Sequence, residues 1–124
     1  MRYIIFVIIT LMCSVGYSHE MTPTYLTTKP SVADSVHETV ITIFNRRDDV
    51  EYYELSVFDS NWKRAPFAAL ERVFQVKYLH KKNVTIYFRE RDLSIITYVC
   101  TTSKLLKDKR TTVVASRICS KVKQ

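Results

Sequence analysis

Short runs of β-branched and aromatic residues that alternate sides at a period of two recur along this chain. They constrain it to an all-β fold more tightly than any other feature. In VHETVITIFN, residues 36–45, Val40, Thr42 and Phe44 fall on one side and Ile41 and Ile43 on the other. EYYELSVF sets Tyr53, Leu55 and Val57 against Tyr52, Glu54, Ser56 and Phe58, the pattern of one buried and one half-wet face. VFQVKYL and NVTIYFRE flank HKK and predict a hairpin, with Val84, Ile86 and Phe88 alternating against Thr85, Tyr87 and Arg89. LSIITYVCTT and TTVVASRICSKVK predict the last two strands, and residues 25–29 a short extended opening closed by Pro30. Only residues 67–72 have a helical tendency, one turn at most, while Pro23, Pro30 and Pro66 punctuate strand boundaries. Six or seven strands at regular spacing predict a single-domain, seven-stranded immunoglobulin-like β-sandwich, with a small barrel as the alternative.

The chain opens MRYIIFVIITLMCSVGYSHE: a cation at Arg2, an apolar run over residues 3–12, then the small residues Gly16 and Ser18. This is the layout of a secretory signal, and the run is too short for a comfortable membrane span. Residues 1–18 are therefore read as a signal peptide cleaved near Ser18, and residues 19–124 as the mature domain, periplasmic or secreted. An uncleaved N-terminal anchor and lipid attachment at Cys13 are the alternatives; Met12 departs from the small residue that lipid attachment needs. Cleavage removes Arg2, so the formal charge of +7 becomes +6. A basic balance suits nucleic acid, an anionic membrane surface or an acidic partner, and export disfavours nucleic acid.

Gly16 is the only glycine, so the mature domain has no phosphate-cradling loop of the usual kind and no dinucleotide fingerprint. His19, His37 and His80 share no metal-ligand spacing, and no segment resembles a nucleophile elbow. The reading is thus a non-enzyme with no metal and no cofactor. Of the three cysteines, Cys100 and Cys119 remain after cleavage, and an even pair in an exported chain points to a disulfide. If the last two strands are antiparallel neighbours, the two can sit opposite each other, worth roughly 3 kcal/mol in the chain-entropy model. Such a bridge pins the terminal strand, and a pinned edge strand is a template for strand addition. Lys104, Lys107, Lys109 and Arg110 make the tip between these strands basic; a solvated surface is the plain reading, and weak contact with an anionic membrane surface or an acidic partner the functional one.

The order of segments resembles the N-terminal immunoglobulin-like domain of the periplasmic chaperones that assemble bacterial pili and fimbriae. TYLTTKP and VITIFN, with Asn45 at the motif asparagine, are similar to that family's first two strands. VEYYELSVF, APF, VFQVKYLHKKNVTIYF, RERDLSIITYV and TTVVASRICSKVK follow in the family's order. The resemblance implies an activity in which alternate apolar residues of the last strand are lent to an incomplete pilin subunit. The lent row is then Val114, Ile118 and Val122, in preference to the row beginning Val113 and Ala115, which soon meets Arg117 and Lys121. It also implies a cation for the subunit's terminal carboxylate, and only Lys121 stands near the matching late position. One branch of the family bridges its last two strands, as Cys100 and Cys119 would do here.

The expected function is an exported, non-enzymatic, chaperone-like domain that captures a pilin-like subunit or envelope protein by edge-strand addition. Two other classes stand beside it: a small secreted inhibitor or envelope factor binding through loops, and a structural subunit of a secretion or conjugation assembly. Self-association at rising concentration separates the last.

Overall fold

A computed structural model describes residues 18–104 and 115–123. The described chain forms nine strands: β1 Glu20–Thr22, β2 Tyr25–Leu26, β3 Lys29–Pro30, β4 Val36–Phe44, β5 Tyr52–Phe58, β6 Val73–Gln75, β7 Lys81–Arg89, β8 Tyr98–Lys104 and β9 Arg117–Val122. They make two sheets. In one, β4 pairs with β7 along its whole length on one side and with β1 and β3 on the other. In the other the order is β2-β9-β8-β5-β6.

One hydrophobic cluster draws on both sheets. Ile41 and Ile43 of β4 and Val84, Ile86 and Phe88 of β7 come from the first; Tyr53, Leu55 and Val57 of β5, Phe74 of β6 and Val99 of β8 come from the second. Period-two alternation sends these side chains inward, and each large one contributes about 1.5–3 kcal/mol when fully buried. The fold is all-β, with a single 3₁₀ turn at Glu90–Asp92 as its one described helical element. The chain changes sheets between β1 and β2, at the cis Thr22–Pro23 bond.

Three local expectations are corrected. The segments around HKK do not form a hairpin: β6 bonds to β5 in one sheet and β7 to β4 in the other. Asn45, fully buried between them, enforces the crossing. Its Nδ2 donates to the carbonyls of Val50 (2.7 Å) and Val76 (2.8 Å), and its Oδ1 accepts from the Tyr53 hydroxyl (2.6 Å) and the Arg47 N–H (2.8 Å). Its main chain bonds Leu79 and His80, so the turn after β6 is tied to the end of β4. Residues 67–72 form no helix, because Ala68 pairs with Tyr87 and the Arg72 carbonyl accepts the Leu55 N–H. The strand expected from Leu93 starts at Tyr98; Leu93 and Ile95 instead donate back to Glu90 and Asp92, which carries Ile96 into the core.

Candidate partner-binding edge

The disulfide expected from the cysteine count is present. Cys100 and Cys119 are bonded, and they are register partners in the antiparallel β8–β9 pair. The hydrogen bonds of this pair assign the two sides of β9. The Ser103 N–H donates to the Ser116 carbonyl and the Val122 N–H to the Thr97 carbonyl, so the even-numbered residues turn their main chain toward β8. Arg117, Cys119, Lys121 and Lys123 turn theirs away. Beyond Lys121 that outer side is occupied: the Lys121 and Lys123 N–H groups donate to the carbonyls of Thr24 and Leu26, in the parallel pairing with β2. The main-chain groups of Arg117 and Cys119 bond to no described residue. Among the described residues, the upper half of β9 is thus an open edge and the lower half a covered one.

Each predicted site residue takes a defined place or lies outside the described residues. Val122 is 4% exposed in this chain's own core, opposite Leu26 of β2, and Ile118 is half-buried against the same core. Val114, Lys107, Lys109 and Arg110 lie outside the described residues, as do residues 1–17 of the expected signal. Lys121 is exposed and has no carboxylate partner among the described residues. Lys104 is committed: its Nζ lies 2.6 Å from Glu54 Oε2, across the β8–β5 pair. Ala115, of the alternative row, is exposed.

A buried polar group stands behind this edge that the sequence did not single out as structural. His19 is 1% exposed, with Nε2 2.8 Å from Thr101 Oγ1, Nδ1 3.1 Å from Ser116 Oγ and its ring 4.6 Å from that of Tyr53. Burial lowers its pKa to about 4, with the Thr101 hydrogen bond opposing and the Arg47 charge adding to the shift. The ring is therefore neutral at pH 7 and fastens the start of β1 to the start of β9. The neighbouring Tyr53 phenol is pushed up to about 12, again chiefly by burial. Ser120 Oγ donates to the Pro23 carbonyl at 2.6 Å, a second tie between the N-terminal segment and β9.

The outer face of the β5–β8–β9 sheet carries a second unforeseen feature. The Trp62 and Tyr98 rings stack at 4.2 Å with planes 2° apart, Phe58 lies 5.8 Å from Trp62, and the Arg117 guanidinium sits 5.3 Å from the Phe58 ring centre. Asp59 holds the turn, its Oδ1 accepting from the Asn61 and Lys63 N–H groups, while Trp62 takes a left-handed φ of 62°. A lone Trp in a polar loop gives no sequence signal of this stacking.

Among the described residues no three His, Cys, Asp or Glu side chains gather as a metal-holding group, and no helix is long and apolar enough to cross a membrane. The chain matches no protein-family model and no curated protein.

Proposed function

We propose that this chain is an exported, non-enzymatic immunoglobulin-like β-sandwich domain, a divergent relative of the N-terminal domain of pilus chaperones, that binds another protein by strand addition at β9. The observation that carries this reading is the pair of vacant main-chain rungs at Arg117 and Cys119, on a strand fixed to β8 by the Cys100–Cys119 bond. An unpaired edge held in extended form offers a partner hydrogen bonds without the ordering entropy of a loose strand. Val122 is sealed in the chain's own core and Ile118 only half so, which leaves Ile118 as the described residue of the row to lend, with Lys121, which has no carboxylate partner among the described residues, on the same strand. The partner is a pilin-like subunit or envelope protein, met in the periplasm after removal of residues 1–18.

Co-expression with a pilin-like subunit lacking its own final strand tests this. A soluble one-to-one complex is expected with the native chain, and its yield should fall at least about tenfold with Ile118→Asp. Equal yields from the two chains, with Ile118→Asp folded by circular dichroism, would sink the reading.

A second reading, loop-mediated binding of the kind a secreted inhibitor uses, draws support from the Trp62–Tyr98 stack, since Trp62 is half-exposed at 52%. Trp62→Ala abolishes binding under this reading and spares it under the first.

A further inference from the structure

Among the described residues the first sheet also ends in an open edge, at β7. Tyr87 exchanges two hydrogen bonds with Ala68, its N–H donating at 2.8 Å and its carbonyl accepting at 2.9 Å. The main chain of Tyr87 therefore faces away from β4. Alternation along the strand gives the same orientation to Thr85 and Asn83, and their main-chain groups bond to no described residue. Ala68 forms one rung of an added strand, after which the chain departs: Leu70 is 98% exposed, and Arg72 gives its carbonyl to the other sheet.

Where that strand would have continued lies a groove of about 340 Å³, lined by Leu70, Glu71, Phe74, Lys82, Val84 and Thr85 among others. Phe74 and Val84 belong to the core and are approached here from its side, through the gap between the two sheets. Lys82 lines the groove and is held by Glu71 at 3.1 Å in an exposed pair, and Lys81, two residues before Asn83 on β7, adds an exposed cation next to the open rungs.

We propose that β7 accepts an added strand at Thr85 and Asn83, supplied by an extended acidic segment of another protein. Its main chain continues the rung begun by Ala68, antiparallel to β7. One apolar side chain fills the groove over Phe74 and Val84, and flanking carboxylates meet Lys81 and Lys82. A second copy of this chain is disfavoured as the occupant, because it brings the same lysines and the same net positive charge to the edge. This site goes beyond the β9 reading and stands or falls apart from it.

An N-acetylated hexapeptide of alternating valine and threonine between two aspartates is a suitable probe, read by amide chemical shifts and hydrogen exchange of the folded protein. Exchange at Thr85 and Asn83 should slow with added peptide while Arg117 and Cys119 stay unchanged. Leu70→Asp, at a fully exposed position, should weaken binding by about tenfold, as should replacing the peptide's aspartates with asparagines. Thr85→Pro removes the N–H rung and should abolish the protection. Unchanged exchange at Thr85 and Asn83 at millimolar peptide overturns the proposal. So does protection confined to β9, or protection that rises with protein concentration alone, which would mark self-pairing.

Discussion

Asn45 and the upper half of β9 show opposite treatments of the same need. Around Asn45 every polar atom named is paired inside the protein, across three chain segments, and no water or partner is required. Along β9 the rungs at Arg117 and Cys119 have no partner among the described residues, although a disulfide and a buried histidine hold the strand that bears them. The difference teaches that openness here is not looseness: the edge is vacant in its hydrogen bonds and anchored in its side chains.

The comparison can be broken most severely at Asn45. Asn45→Ala strands the Tyr53 hydroxyl, the Arg47 N–H and two carbonyls, and should lower unfolding free energy by about 4 kcal/mol in a denaturant titration. A loss below about 1 kcal/mol would mean that water substitutes there and that the junction is not closed. Reducing the Cys100–Cys119 bond comes next, at roughly 3 kcal/mol. Amide exchange should then accelerate in β9 before β4 and β7; uniform acceleration would deny β9 any special anchoring. The smallest effect is that of pH. Because the fold holds His19 neutral, with its pKa lowered from 6.5 to about 4, the unfolded chain binds the extra proton between those values. Stability is therefore undiminished above pH 6.5, falls as pH drops toward 4, and levels off below. The shift sets an upper limit of about 3 kcal/mol, and relaxation around the ring brings the expected loss to about 2 kcal/mol. His19→Gln should remove this part of the acid limb, measured as the difference in denaturation midpoint between pH 7 and pH 4.

The alternation in β4, β5 and β7 was legible residue by residue, since Ile41, Ile43, Tyr53, Leu55, Val57, Val84, Ile86 and Phe88 all point inward where a period of two places them. What alternation cannot carry is the choice of sheet. Residues 73–75 and 81–89 read as neighbours because a short polar turn joins them, and the bonds that separate them come from Asn45, which is distant from both in sequence. The β9 edge was legible in part: the cysteine pair gave its anchoring, while β2's cover over Val122 depends on a parallel contact across most of the chain's length. His19 was read as a residue at a cleaved terminus, because nothing local announces that Thr101 and Ser116 receive its ring.

The switch of sheets at Pro23 has a bearing on how the protein is handled as well as on how it folds. Glu20–Thr22 borders one sheet and Tyr25–Leu26 the other, so these few residues act as a lace drawn through both margins. Any protease that nicks this lace, or any shortened version that starts beyond Met21, would unseat His19 and a core methionine together and leave both margins frayed at once.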